Sequence, residues 1–370
     1  MHHPKRGIDA FLELHRGEYK QLTDSSQYQV VIRKLTEIRI GFLVKDDGEQ
    51  MPSGLEEALG YGINVAPTVD SAYAVGAAVT IRSAVETTPE RITFYIVDCG
   101  LSSEEKDGLC KSVPARGDVT MVFLSLPEDG LAKELNTTIW AKLDLCHVLP
   151  VERVLYLDAD LLIRSSLKPL WEMDLEGKTL GAALDVGHPV GHGDLHGKPY
   201  FNAGVMLLDL AKARLSLKSL KEVGRAMKDS LFKDQDTLNV HFTEWKEVSL
   251  VWNAQGLGTY ANYPSDDRRI LNLKEMAEPN IVHFTGPVHP PLPEALNPYV
   301  QPPTCKPWGY LEASGHPFRR EWWQVLERTA WKGLRESSCW KEQRSKAIKH
   351  SVEEATKNFH SRIEKVRLDE

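Results

Sequence analysis

Arg153–Leu162 reads RVLYLDADLL, and this stretch decides the fold. Arg153–Leu157 is a mostly apolar run of strand length, and two carboxylates, Asp158 and Asp160, follow it directly. Short apolar runs without strict alternation belong to strands covered on both faces, as in a mainly parallel sheet flanked by helices. Residues two apart in extended chain point to the same side, so Asp158 and Asp160 can face one cation. Carboxylates beside a buried strand are costly to desolvate unless something positive meets them. A hard divalent ion with oxygen ligands, Mn2+ or Mg2+, is the natural partner. Such an ion can bridge two phosphates and absorb the negative charge of a leaving diphosphate. The rival reading, an Asp-x-Asp that merely caps a turn, is weaker because of the strand before it.

Working outward, Ile63–Val69, Ile92–Val97 and Val119–Leu124 read as further strands. Ala72–Val85, Ser102–Val113 and Thr138–Val148 read as the helices between them, the second opened by Ser102-Ser103-Glu104-Glu105. This alternation predicts an α/β fold whose ligands sit beyond the carboxyl ends of the strands. Residues 1–60 form an appendage, with a helix expected over Ala10–Leu22 and a strand over Ile38–Val44. Residues 61–310 make the main domain, which turns proline-rich from Pro287 to Pro307. Residues 311–370 form a helical extension, and its last helix carries the narrow apolar stripe Ile348, Val352, Ala355, Phe359 and Val366. Packing against its own domain is the expected use of that stripe, and a homodimer seam is the alternative.

The net charge of -7 argues against nucleic acid as a main ligand. No apolar stretch is long enough for a membrane span. The five cysteines are odd in number and contain no Cys-x-x-Cys pair, which fits reduced thiols in the cytoplasm. No Gly-x-Gly-x-x-Gly follows the first strand, so nicotinamide chemistry is excluded.

Three more segments carry candidate chemistry. Asn280–Gly286 (NIVHFTG) places His283 after a short apolar run and Gly286 where backbone could approach a phosphate. Phe201–Leu210 (FNAGVMLLDL) puts Asn202, Ala203 and Gly204 before a buried run, with space and hydrogen-bonding capacity for a polar ligand. Asp234-Gln235-Asp236 precedes an expected helix over Thr237–Phe242, and helix capping explains it equally well.

Taken in order, these segments resemble family 8 glycosyltransferases, the glycogenin-like group with bacterial lipopolysaccharide galactosyltransferases and plant galactinol synthases. The likeness covers about Ile63 to Trp308. It implies a GT-A fold and a retaining enzyme that uses a UDP-sugar, usually with Mn2+, and a small-molecule or glycan acceptor. It further implies that Asp158, Asp160 and His283 ligate the metal. Thr68, Val69, Asp70 and Tyr73 look like the uracil site, with Lys142 and Ala159 also at the donor nucleotide. Asp185, Asn202, Ala203, Gly204 and Asp234 match sugar-binding positions. Asp234 and Gln235 lie beneath the anomeric carbon, and Asp185 joins them as a catalytic candidate.

One departure from the family pattern stands out. The family commonly runs His-Phe-x-Gly-x-x-Lys-Pro-Trp, whereas here Lys306-Pro307-Trp308 arrives only after a proline-rich insertion. The insertion is expected to loop out and leave Gly286 and Lys306 at the diphosphate, with His289 as the competing contact. Two rival functions remain: a phosphatase using Asp158 as nucleophile, and a non-catalytic nucleotide-sugar binder.

Overall fold

A computed structural model of the chain describes residues 28–31, 62–262, 265–286, 306–310, 313 and 315–368. The expected helix at Ala10–Leu22, the expected strand at Ile38–Val44, His289 and most of the proline-rich insertion lie outside these residues.

Eleven strands are described, in chain order β1 (Tyr28–Val31), β2 (Ile63–Ala66), β3 (Thr68–Val69), β4 (Ile92–Asp98), β5 (Val119–Ser125), β6 (Arg153–Leu157), β7 (Leu161–Ile163), β8 (Leu180–Leu184), β9 (Phe201–Asp209), β10 (Lys246–Glu247) and β11 (Ile281–His283). The main sheet runs β1-β5-β4-β2-β6-β9-β8-β10, with β3 also on β4. From β5 through β4 and β2 to β6 the neighbours are parallel. β9 then pairs antiparallel with both β6 and β8. β7 and β11 form a separate antiparallel ribbon. The architecture is the mixed α/β, mostly parallel arrangement of the GT-A fold.

The parallel half follows from its connections, since parallel neighbours need a crossover. Helix α1 (Ala74–Thr87) supplies one between β3 and β4, and α2 (Ser103–Ser112) another between β4 and β5. Ser102 caps α2 in a full capping box with Glu105, as the sequence signals. Gly76 lets α1 pack closely: a Cβ there would lie 2.5 Å from the Ala159 carbonyl and 2.6 Å from the Trp308 ring. The small residues of this helix therefore bring its start against the turn between the two aspartates. The expected helix over Thr138–Val148 is a 3-10 segment, Thr138–Asp144, followed by a single α turn at Leu145–Val148.

Described segments on both sides of the main domain pack onto it. β1, from the expected appendage, adds an antiparallel edge strand to β5. Helix α3 (Lys233–His241) packs on β9, and α4 (Arg319–Leu326) packs on α1. In α4, Trp322 and Trp323 are buried with Val79, Leu162, Val282 and Phe284 in one apolar cluster. Residues after 310 are therefore part of the core that supports the β7–β11 ribbon. The final helix, α5 (Ser338–Leu368), leaves Ile348 39% and Val352 60% exposed. At those two positions the stripe is not buried against its own domain. Among the described residues no helix is long and apolar enough to cross a membrane.

A candidate metal and sugar-transfer site

β6 ends at Leu157, and the chain turns through Asp158-Ala159-Asp160 into β7. Backbone bonds clamp this turn on both sides. Asp158 N–H donates to the Gly204 carbonyl of β9 (2.8 Å), and Phe284 N–H donates to the Asp160 carbonyl (3.1 Å). His283, the last residue of β11, is thus brought to the acidic pair by the pairing of β11 with β7. Ligand atoms of Asp158, Asp160 and His283 lie within 4.8 Å of one another. His283 Nε2 is 3.7 Å from Asp158 Oδ2 and 3.3 Å from Asp160 Oδ1.

The residues fit a divalent ion. Asp160 is 4% exposed, and among the described residues its buried Oδ1 has no hydrogen-bond partner, only His283 Nε2 at 3.3 Å. A buried orphan acceptor of this kind is what a cation satisfies. Gly204 keeps the space open: a Cβ there would overlap His283 Cε1 and lie 2.8 Å from Asp158 Oδ2.

Two lysines balance the acid. Lys142 Nζ lies 3.3 Å from Asp158 Oδ1 and 3.1 Å from Asp234 Oδ2. Burial works against its charge, but Asp158, with Tyr156 and Asp234, holds its pKa well above the usual lysine value. Burial pushes the Asp234 carboxyl up, against the pull of Lys142, and Asp158 adds to the rise. One ammonium is shared between two carboxylates, so the positive charge on Lys142 is the firmer of the two assignments. Lys306 Nζ contacts Asp160 Oδ2 and donates to the Phe284 carbonyl at 2.6 Å. Burial disfavours the Asp160 carboxylate, yet Lys306 and His283 outweigh it and hold its pKa well below the usual range.

The sugar-side candidates meet in one hydrogen-bonded group. Asp185 Oδ2 accepts from Asn202 Nδ2 and from Gln235 Nε2, each at 3.0 Å. Its Oδ1 accepts from the Gly187 and His188 N–H groups. Gln235 Oε1 accepts from Ala203 N–H at 3.1 Å. Asn202, Ala203 and Gly204 lie within strand β9 and not ahead of it. β6 pairs with β9 only from Val205 onward, and β8 passes from Met206 to Phe201 through an irregularity, so these three residues are extended but lie outside both ladders, with the Gly204 carbonyl accepting from Asp158 N–H. Likewise Asp234, Gln235 and Asp236 fall inside the first turn of α3, not ahead of it. Asp236 there accepts from Phe232 N–H at 2.9 Å.

Beside the acidic turn, Thr68 Oγ1 shares a hydrogen bond with the Tyr156 hydroxyl (3.2 Å), while Val69 of β3 is buried next to β4. Asp70 Oδ1 accepts from Tyr73 N–H at 3.1 Å, forming a small turn that presents the 36% exposed Tyr73 ring. Trp308 packs edge-on against Tyr73 with ring centroids 5.6 Å apart. Gly286 is exposed, with no atom within 4 Å of where a Cβ would stand.

Two participants carry no signal that sequence reasoning singled out. Tyr156 donates to Asp158 Oδ1 at 2.5 Å, and its place two residues earlier on the same strand face could have shown it. Asn253 bridges His283 Nδ1 (3.0 Å) and Asn202 Oδ1 (3.0 Å), and nothing in its local sequence marks it.

Comparison with known proteins bears on this geometry. Residues 64–291, more than half of the chain, match the model of glycosyl transferase family 8. The chain belongs to that family. A provisionally named glycosyltransferase of Haemophilus influenzae is 28% identical over 193 residues, covering 48% of this chain and 58% of its own length. General stress protein A of Bacillus subtilis is 25% identical, over 65% of this chain and 84% of its length. The lipopolysaccharide 1,2-glucosyltransferase of Escherichia coli K12 is also 25% identical, over 65% and 75%. Among solved structures, the galactosyltransferase LgtC with donor and acceptor sugar analogues has a TM-score of 0.54 at 22% identity. That match covers 73% of this chain and 99% of LgtC, and it establishes the shared fold. The chain spans 58% of the length of its Haemophilus relative, and the family 8 segment carries the candidate Asp158–Asp160–His283 metal triad.

Proposed function

We propose that this protein is a retaining hexosyltransferase that moves a sugar from a UDP-sugar to an acceptor hydroxyl, assisted by Mn2+ or Mg2+. One observation carries the reading: Asp158, Asp160 and His283 converge on a common point, with a buried Asp160 oxygen that has no other partner. A divalent ion bound there would offset the negative charge that develops on the leaving diphosphate. The Escherichia coli relative's name, a glucosyltransferase, supports a hexose as the transferred group.

The chain's own residues divide the remaining work. Tyr73 offers its exposed face for the uracil to stack on, and Asp70 accepts from the base beside Thr68 and Val69. The Ala159 backbone and Lys142 border the nucleotide. Lys306 brings a second positive charge to the diphosphate, and Gly286 lets backbone approach it. The sugar lies over Asn202, Ala203 and Gly204 with Asp234 in reach, while Asp185 anchors Asn202 and Gln235 beneath it. Both ends of the Gln235 amide are engaged, by Ala203 and Asp185. An amide so held is a poor nucleophile and a good fixed dipole, which favours attack by the acceptor on the face the diphosphate leaves. The bond from the anomeric carbon to phosphate oxygen breaks, the bond to the acceptor oxygen forms, and the hydroxyl proton passes to the departing phosphate.

Among the described residues Cys99, Cys146 and Cys339 are free. Burial pushes the Cys99 thiol up to about 12 and Cys146 up to about 11, which supports a reducing, cytoplasmic setting for inert thiols. The exposed Ile348 and Val352 make self-association through α5 a matter for sedimentation analysis.

The test is a screen of UDP-hexoses for UDP release, with and without Mn2+, scored also for sugar transfer. Metal-dependent release from one donor is expected. Phosphate release without sugar transfer would replace this reading with the phosphatase. Tight UDP binding with no turnover on any donor would replace it with a non-catalytic binder.

A further inference from the structure

We infer that Asn253 is a positioning residue that sets the tautomer of His283 and ties the metal triad to the sugar-side group through one directional chain of hydrogen bonds. The inference rests on the reading of Asp158, Asp160 and His283 as a metal site, and adds a residue outside all the motifs.

The direction of the chain follows from groups that have no choice. The Gly204 backbone N–H can only donate, and it points at an Asn202 side-chain atom 3.0 Å away, so that atom is Oδ1. The other end of Asn202 is therefore its NH2, and it faces Asp185 Oδ2, which can only accept. Asn202 Oδ1 also meets Asn253 at 3.0 Å, so the Asn253 atom there must be the donor Nδ2. That leaves Asn253 Oδ1 facing His283 Nδ1, and the ring must carry its proton on Nδ1. In the neutral ring Nε2 is then left with its lone pair, and it is the nitrogen turned toward Asp158 and Asp160, where a metal ion replaces the proton that a charged ring would hold there. A metal-binding imidazole needs this form.

The same logic fixes the far end. Ala203 N–H can only donate, so the Gln235 atom 3.1 Å from it is Oε1, and Gln235 Nε2 is left to donate to Asp185. Two adjacent peptide N–H groups of β9 thus orient every amide between Gln235 and His283. Asn253 itself is 0% exposed, and Asn202, Asp185 and His283 are buried with it. In so enclosed a chain one reversed amide leaves two donors or two acceptors face to face, at the cost of unsatisfied buried groups. The tautomer of His283 is locked for the same reason.

The test separates the tautomer from the metal. Long-range 15N NMR of histidine-labelled protein without metal, with His283 assigned from a His283→Ala variant, reads which ring nitrogen is protonated. Wild type is expected to show the Nδ1–H form. Asn253→Leu should lose that preference and weaken Mn2+ binding, measured by calorimetry with the metal alone, by about 10- to 100-fold. Asn253→Asp keeps an acceptor for Nδ1–H, so it should restore the tautomer and most of the Mn2+ affinity. It also opposes Asn202 Oδ1, so its sugar transfer should stay impaired. An Nε2–H form in wild type overturns the inference even if Asn253→Leu does not fold. Unchanged tautomer and Mn2+ affinity in Asn253→Leu, or equal loss in both variants, overturns it too. Should wild type show Nδ1–H, with Asn253→Leu losing it, while binding no Mn2+, the positioning inference stands and the metal reading fails.

Discussion

The two lysines at the acidic turn reach it from opposite regions of the molecule. Lys142 comes from the 3-10 segment between β5 and β6, has a side chain only 9% exposed, and is caught between Asp158 and Asp234. Tyr156 adds its ring 4.8 Å beneath the ammonium. Lys306 comes from beyond the insertion, is 19% exposed, and meets Asp160 and the Phe284 carbonyl under the edge of Tyr73. The first lysine is enclosed by groups of the fold. The second lies beside residues that reach the surface, Tyr73 and Gly286. The difference teaches that equal charges at one site can serve folding in one case and substrate in the other.

The sharpest way to break this comparison is Lys142→Met. It leaves the half-buried Asp158 and Asp234 carboxyls without their shared ammonium, and a loss of about 3 kcal/mol is expected in urea unfolding. Unchanged stability would remove the distinction between the two regions. Next in size, Asp160→Ala should lower turnover by at least ~100-fold, about 3 kcal/mol of lost electrostatic stabilisation, with the fold intact by circular dichroism. Near-normal turnover would reject the metal triad. Lys306→Met should destabilise less than Lys142→Met, because Asp160 keeps His283 beside it, and should raise the donor KM by about tenfold, about 1.4 kcal/mol of donor binding. A donor KM equal to that of wild type would make Lys306 structural.

The smallest effect is a pH dependence. The Asp160 pKa is depressed in the folded protein, so its contribution to stability is complete above the unfolded carboxylate pKa of about 4 and fades as pH falls through the folded value. The stability difference between wild type and Asp160→Asn should stay flat from about pH 7 to about pH 5 and shrink below about pH 4. A difference that changes between pH 7 and 5 would show that Lys306 and His283 do not hold this carboxylate ionised.

Much of the fold was legible because its signals are local. Apolar runs and the helices between them marked the parallel strands, and Ser102 with Glu105 marked the start of α2. Asp158 and Asp160 were legible because a strand fixes side-chain direction with a period of two. The strand character of Asn202–Gly204 was not, since an Asn-Ala-Gly sequence favours a turn, and its extended form is held by distant partners: Asp185 on Asn202, Gln235 on Ala203 and Asp158 on Gly204. The first turn of α3 was missed for a related reason: its Asp-Gln-Asp polarity conceals helix that tertiary packing stabilises.

By itself the sequence determined the parallel sheet, the acidic pair at the end of β6 and the family, because each depends on spacing within a few residues. Only the tertiary structure decided that His283 and Lys306 meet that pair, and that Asn253 connects it to Asp185 and Gln235. Those contacts join segments far apart in the chain, and their direction is set by backbone N–H groups whose partners no local pattern can specify.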